Sequence, residues 1–403
     1  MRFHSVPTIT ALALALAASL PAQAQQAPQA QLYIDVATHS MPGTPGMGAI
    51  GRLAGAMGGA TASNNYGMAL HPGMPGKYLD VALLNASQPG ASARQAVPRG
   101  LGVGKEIQLL PPEPRASDHD TGPAGEHDGY GMQGDGSYRI RHYWGCGEQA
   151  GVGQPTEFTM TIRDGKMVTG GRMAQPRQVP ANNIKPGPQY ALWPNPSARK
   201  AVGSKASLVG THQLTGDGLP GAMDFELDQN HDFMPELVIS GHQDDGQGME
   251  LQWNEVTGAR AYFAHAIVMD GESMVMWSSS EDGYAGPELV AYLPGSLLTQ
   301  WTGKRTLMDA GTRSCRIPAE VFADGAQPMI QVIAYGNEST ITQPRPADAD
   351  RDWQPAWSVR VRNKSTAMLM PGMAAVGQDA AREAARPAVK DAAKNVLRGL
   401  FGH

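Results

Sequence analysis

Apolar and polar residues alternate along most of the chain, and this period of two predicts β-strands. The alternation is clearest in residues 138–144, 158–162, 223–227 and 357–361. Asp164-Gly165 follows the second of these stretches and predicts a hairpin, because both turn residues tolerate a positive φ. Each alternating strand places one face against a core and the other in water. The sequence therefore predicts an all-β fold.

The strand signals form two groups, which predict two β-sandwich-like domains at 77–234 and 235–366. Before them, residues 25–76 are rich in Gly, Met and Pro, so we expect this segment to be partly disordered beyond one short strand at 31–37. After them, residues 367–403 predict a short helical tail. The 49 glycines and 31 prolines, with only 17% charged residues, are typical of an all-β exported protein.

The first 24 residues have the three parts of a secretory signal peptide. Arg2 gives a charged start, residues 11–20 form a short apolar run, and Ala22-Gln23-Ala24 is a small-residue cleavage pattern. The apolar run is too short to cross a bilayer, which takes about 20 residues, and no other stretch is long and apolar enough. We therefore expect cleavage after Ala24, no transmembrane segment, and a periplasmic or secreted protein.

Charge and the tail limit the expected partners. A net charge of −5 argues against a nucleic-acid partner, because nucleic-acid binding requires basic patches. In the tail, Val389, Ala393, Val396 and Leu400 share one helical face. This helix could make weak membrane contact, or it could dock on the protein or fray in solvent. Its Ala-rich face buries little area, which favours the second interpretation. The partner is thus expected to be an unknown envelope or extracellular ligand.

The chain has two cysteines, Cys146 and Cys315. An even number of cysteines in an oxidising compartment favours pairing. The bridge would close a loop of about 170 residues, which is worth about 4–5 kcal/mol in the chain-entropy model. The alternative is a pair of buried free thiols, because free cysteine packs as a small apolar residue. We expect the disulfide.

Copper is the metal that the N-terminal segment favours. The soft and imidazole ligands there are His39, Met41, Met47, Met57, Met68, His71 and Met74. Thioether sulfur suits Cu(I), and imidazole binds either copper state. Against a copper site, the methionines are irregularly spaced, and the chain as a whole holds 21 of them. A general abundance of methionine therefore explains the segment as well as metal binding does.

A second candidate metal site lies in a polar loop before residue 137. His119, Asp120, His127 and Asp128 could hold zinc or copper through nitrogen and oxygen ligands. A hydrated acidic loop explains the same residues and is the favoured interpretation.

No catalytic motif is complete. Residues 271–275 lack the final glycine of a nucleophile elbow, and there is no H-E-x-x-H zinc motif. His142 and His265 each lie among apolar residues of a predicted strand. Lone histidines in such positions are expected to be hydrogen-bonded core residues rather than ligands or bases.

Residues 236–365 resemble a fibronectin type III domain. The resemblance rests on Leu251-Gln252-Trp253, Gly258-Ala259, Tyr262 and Ala334-Tyr335. It implies that Trp253 and Tyr262 pack a sandwich core and carry no chemistry.

The whole mature chain also resembles a family of uncharacterised exported proteins of Gram-negative bacteria. The resembling segments are 143–148, 207–210, 315–322 and 333–336. This resemblance implies export and β architecture, and it implies no catalytic residue.

The leading hypothesis is a non-catalytic periplasmic or secreted protein that works by binding or scaffolding. It follows from the strong strand patterning and the incomplete catalytic motifs. One alternative is periplasmic copper handling through the N-terminal segment. Another is a secreted hydrolase that acts on glycans or cell wall, because paired carboxylates leave no trace in sequence spacing.

Overall fold

The computed structural model describes residues 27–41, 64–71, 74–113, 136–163, 166–172, 177, 183–243, 248–270, 273–322 and 328–371. Strands account for 47% of it and helices for 9%, which confirms the all-β fold class. Several predicted features lie outside the described residues: the signal peptide at 1–24, Met47, Met57, His119, Asp120, His127, Asp128 and the tail beyond 371.

Eighteen strands are present in the described part of the chain. They are β1 (Ala30–Ser40), β2 (Gly76–Asn85), β3 (Ala93–Ala96), β4 (Glu106–Leu109), β5 (Gly136–Trp144), β6 (Thr156–Arg163), β7 (Lys166–Gly171), β8 (Tyr190–Trp193), β9 (Gly210–Gly216), β10 (Met223–Leu227), β11 (Ile239–Gln243), β12 (Met249–Trp253), β13 (Ala261–Asp270), β14 (Ser273–Ser278), β15 (Met308–Asp309), β16 (Ser314–Ile317), β17 (Pro328–Thr342) and β18 (Trp357–Leu369). The one α-helix of this part, α1, spans Gly295–Gly303.

An 11-stranded sheet runs through the molecule in the order β7-β6-β5-β14-β13-β17-β18-β1-β2-β8, with β15 paired to β13 at the side. Two of its pairings are parallel and join distant parts of the chain: β1 with β18, and β5 with β14. Two smaller sheets, β10-β9-β3-β4 and β11-β12-β16, pack on the same side of it. We call that side of the large sheet the inner face and the opposite side the outer face.

Each small sheet encloses its own core against the large one. The first core buries alternate residues of β1, β2 and β18, such as Ile34, Val81 and Val359, against β3, β4, β9 and β10. The second core buries Leu251 and Trp253, among others, against β13, β14 and β17. Alternation with a period of two produces this arrangement, because only one face of each strand turns inward.

The predicted disulfide is confirmed. Cys146 lies two residues after the end of β5, Cys315 lies in β16, and their Cα atoms are 5.3 Å apart. The bridge links the end of a large-sheet strand to the small sheet that packs on it.

The predicted boundary at 234/235 does not separate the sheets. The large sheet contains strands from both sides of it, and β1 from the N-terminal segment lies within it, between β18 and β2. Strand periodicity identifies a strand but carries no information about which distant strand pairs with it. The two-domain division of the sequence therefore differs from the division of the molecule into sheets.

An insert between β14 and β15 covers part of the outer face. It contains a 3-10 helix at Pro287–Val290 and helix α1. Leu289, Leu298 and Trp301 of the insert pack on Phe263 and Ile333 of the large sheet. The outer face is thereby divided into a closed part over β1, β2 and β18 and an open part over β5, β6, β7, β14 and the adjoining ends of β13 and β17.

Candidate functional site

Four charged residues lie side by side on the closed part of the outer face. Strand register places Asp35 directly opposite Asp80 on β2 and Arg362 on β18. Lys364 is the next outer-face residue along β18 and lies opposite Ala37. All four are buried, and Arg362 and Lys364 are each only 1% exposed. We refer to Asp35, Asp80, Arg362 and Lys364 as the charged cluster.

Asp35 and Arg362 form a bidentate ion pair. Arg362 Nε donates to Asp35 Oδ1 at 2.8 Å, and Nη2 donates to Oδ2 at 2.6 Å. The guanidinium carbon lies 4.6 Å from the ring centre of Tyr292 in the insert. The Tyr292 hydroxyl lies 3.0 Å from the Val36 carbonyl oxygen and 3.1 Å from that of Ala69. The pair therefore supports the contact between the sheet, the insert and the segment at 64–71.

Asp80 and Lys364 also bind the segments that cover them. Lys364 Nζ donates to the carbonyl oxygens of Leu70 at 2.8 Å and Val290 at 2.9 Å. Asp80 Oδ2 accepts from the Ala69 amide at 3.0 Å, while Oδ1 is buried with no hydrogen-bond partner among the described residues. Lys364 Nζ also lies 4.6 Å from the ring centre of Tyr292, so backbone and side-chain contacts together tie the covering segments to the charged cluster.

Burial shifts the pKa values of Asp80 and Lys364 toward neutrality. It lowers the pKa of Lys364 to about 7, although Asp35 opposes the shift. Burial, and then repulsion from Asp35, raises the pKa of Asp80 to about 8. Both groups thus titrate between pH 7 and 8 in the folded state, where an exposed Asp or Lys does not. Titration of these buried groups makes the stability of the fold depend on pH.

His39, one of the copper candidates, belongs to the same buried surface. It is 3% exposed, its Nδ1 lies 2.7 Å from Thr366 Oγ1, and its Nε2 lies 3.0 Å from the Met68 carbonyl oxygen. Burial lowers the pKa of His39 to about 3. Both ring nitrogens are engaged in this conformation, and the contact with Met68 is made by backbone rather than sulfur.

The other described residues of the N-terminal copper hypothesis are more exposed than His39. His71 is exposed, Met41 is half-buried and Met74 is 42% exposed. In the part of the chain that the structure describes, no group of three or more His, Cys, Asp or Glu side chains could hold a metal. Copper binding by the whole segment stays a prediction.

The two strand histidines differ from each other. His265 Nε2 lies 2.8 Å from Gln331 Oε1, so the expectation of a hydrogen-bonded core histidine is confirmed there. The same expectation is wrong for His142. It is 7% exposed, and its Nε2 is buried with no hydrogen-bond partner among the described residues. Burial lowers the pKa of His142 to about 4, so its imidazole is neutral at physiological pH.

The open part of the outer face carries an unusual density of methionine. Strand alternation and register place the following residues there: Met160, Met167, Met269, Met274, Met276 and Met329, with Tyr138, Ile140, Phe158 and Ile162 among them. We call this surface the methionine face. Met167 is 64% exposed, Met269 46% and Met329 39%. Large apolar side chains at this exposure mark a surface suited to binding.

Strand β7 forms one border of the methionine face and is the end strand of the large sheet. All six of its residues are exposed, including Val168 at 66%. The Arg172 amide donates to the Glu157 carbonyl. Because alternate amides of an antiparallel strand point to opposite sides, the amides of Val168 and Gly170 face β6, and those of Met167 and Thr169 face outward.

A shallow depression of about 450 Å³ lies beside the disulfide, at the end of β5. Its lining includes Trp144, Gln154 and Glu281. Gln154 is fixed by hydrogen bonds to the backbone of Trp144 at 2.8 and 2.9 Å. Glu281 pairs with Arg305 at 2.9 Å, so the one carboxylate in this lining is committed to an exposed ion pair.

Within the described part of the chain, no helix combines the length and the apolar character needed to cross a membrane. No family model, no curated protein and no solved structure matches the chain.

Proposed function

We propose that the protein is a non-catalytic periplasmic or secreted binding protein that captures an extended polypeptide by strand addition at β7. The observation that carries this proposal is the state of β7: an end strand, exposed along its whole length, that borders an apolar face. Proteins normally protect such edges with charges, bulges or covering segments, because an open edge is a template for another strand. Here the strand carries Met167 and Val168 and only one charged residue, Lys166.

Strand addition would combine two kinds of contact. The outward amides of Met167 and Thr169 would bind the backbone of the added segment. Alternate side chains of that segment would lie on the methionine face, where flexible thioether side chains adapt to different apolar partners. A suitable partner therefore has an extended segment of alternating apolar and polar residues.

The disulfide supports the proposed extracytoplasmic location, because structural disulfides persist in oxidising compartments. The strand order supports a fibronectin-like second unit. Strands β11-β12-β16 and β14-β13-β17-β18 are two antiparallel arrays that face each other across one core, as the two sheets of a fibronectin-like sandwich do. Sandwiches of this class are common binding modules, although the fold alone does not give a function.

The test uses capped ten-residue peptides of alternating valine and threonine as probes, with fluorescence anisotropy as the measurement. Thr169→Pro removes an outward amide and leaves the ladder between β6 and β7 intact. Thr169→Val, which keeps the amide, is the matched control. We expect peptide binding to fall at least about tenfold in the proline variant only, the equivalent of one lost backbone hydrogen bond. Absence of peptide binding, or equal binding by both variants, would exclude strand addition at β7.

A further inference from the structure

Two methionines and a histidine lie together on the methionine face. Met274 and Met276 are alternate residues of β14, so both side chains point to the outer face. His142 on the parallel neighbour β5 lies directly opposite Met276. Adjacent strands are about 4.8 Å apart, and alternate residues of one strand are about 6.7 Å apart. Three soft or imidazole ligands therefore start from positions that long side chains can bring to one point.

His142 has a nitrogen available for a ligand. Its Nε2 is the buried atom without a hydrogen-bond partner among the described residues. A buried nitrogen of this kind costs free energy unless something binds it. The ring also lies 5.5 Å, centre to centre, from Trp144, its neighbour on the same face of β5. Packing against this ring limits the rotation of the imidazole.

The surroundings favour a soft metal over a hard one. Alternation places no Asp or Glu on the outer face of β5, β6, β13 or β14 among the described residues. Ca²⁺ and Mg²⁺ require oxygen ligands, and zinc sites are built from thiolate, imidazole or carboxylate. Two thioethers and one neutral imidazole instead match the ligand preference of Cu(I).

We propose that His142, Met274 and Met276 bind one Cu(I) ion on the outer face of β5 and β14. The site is independent of strand addition at β7, and it uses none of the N-terminal methionines. Met269, directly opposite Met274 on β13, is placed to supply a further thioether. The bound ion would satisfy His142 Nε2 and would stay in the reduced state that thioether sulfur stabilises.

The test is an anaerobic titration of the purified chain with Cu(I), in competition with a chromophoric Cu(I) chelator. We expect one tightly bound Cu(I) per chain. The double variant Met274→Leu/Met276→Leu preserves side-chain size and removes both sulfurs, so its affinity should fall at least about 100-fold, as for loss of metal-site residues in general. The matched control Met41→Leu/Met74→Leu removes two thioethers from the N-terminal group and should leave the affinity unchanged.

His142→Phe tests the third ligand. It keeps an aromatic ring beside Trp144 and removes both nitrogens, and it should lower Cu(I) affinity at least about tenfold. Circular dichroism must show that every variant is folded. Silver(I), titrated into protein with labelled methionine methyl groups, should shift the Met274 and Met276 signals. The proposal is overturned if wild-type protein binds no Cu(I), or if the affinity survives in the Met274→Leu/Met276→Leu variant, whatever the N-terminal control shows.

Discussion

The two parts of the outer face show how one sheet can be closed at one end and open at the other. Over β1, β2 and β18 the outer face carries the charged cluster, yet this cluster is buried beneath the insert and the segment at 64–71. On the methionine face the outer side chains are largely apolar, yet Met167, Met269 and Met329 are exposed. Each part thus reverses the usual relation between polarity and exposure.

The reversal has a physical reason in each part. Charges can be buried at the closed end because each has a partner in the opposite charge or in covering backbone. Apolar side chains at the open end are left in water by the described chain. A ligand that covers them removes apolar surface from water, which lowers the free energy. The comparison therefore assigns stability to the closed end, and it agrees with the proposal that the open end binds a partner.

The largest expected effect comes from Arg362→Met. This variant leaves Asp35 buried without its bidentate partner, and breaking a buried pair typically costs about 3–5 kcal/mol. Arg139→Met is the matched control at the open end, where Arg139 and Glu157 form an exposed pair at 3.5 Å. Such surface pairs contribute about 0–1 kcal/mol. Urea unfolding measures both. Similar losses in the two variants would contradict the assignment of stability to the closed end.

Asp80→Asn should change the pH dependence of stability. The folded-state pKa of Asp80, about 8, lies above its unfolded value. The native state therefore holds more protons between about pH 4 and 8, and the contribution of Asp80 is lost as pH rises through that window. The slope is at most about 1.4 kcal/mol per pH unit. In Asp80→Asn this decline should disappear, as measured by unfolding free energies at pH 5 and pH 8. An unchanged slope would show that Asp80 is not buried as described.

Lys364→Met should remove a pH dependence of the opposite sign, in which the free energy of unfolding rises with pH. The folded-state pKa of Lys364, about 7, lies below its unfolded value. Between about pH 7 and 10 the unfolded state therefore binds more protons, and stability rises with pH. Wild-type protein should accordingly be least stable between pH 7 and 8. In the variant the rise above pH 7 should be lost, and thermal unfolding at pH 7 and pH 9.5 measures the difference. A rise that persists in the variant must come from another group.

The sequence was informative about strands and much less so about their partners. Alternation predicted β5, β6 and β10 and the hairpin that joins β6 to β7, because a strand with one buried face has local periodicity. It could not indicate that β1 pairs in parallel with β18, since those residues are more than 300 positions apart in the chain. The same limit explains why β1 was placed in a separate N-terminal segment.

The candidate sites show a similar limit. The charged residues of β18 occur at Arg360, Arg362 and Lys364, a period of two that normally indicates a solvated strand face. That face is buried only because the insert and the segment at 64–71 cover it, and both are distant from β18 in the sequence. His142 was likewise interpreted as a core residue, because sequence gives its apolar neighbours along β5 but not Met276 on the adjacent strand.

The smallest expected effect on stability comes from a pair of proline substitutions in β7. Thr169→Pro should change the free energy of unfolding by less than about 0.5 kcal/mol, because the amide that it removes faces outward. Val168→Pro removes an amide that faces β6 and should cost about 1 kcal/mol or more. Hydrogen exchange at Thr161, the register partner of Val168, should quicken only in the second variant. If both proline variants quicken hydrogen exchange at Thr161 equally, then the Thr169 amide does not face outward. In that case the open end of the sheet offers no strand edge to a partner.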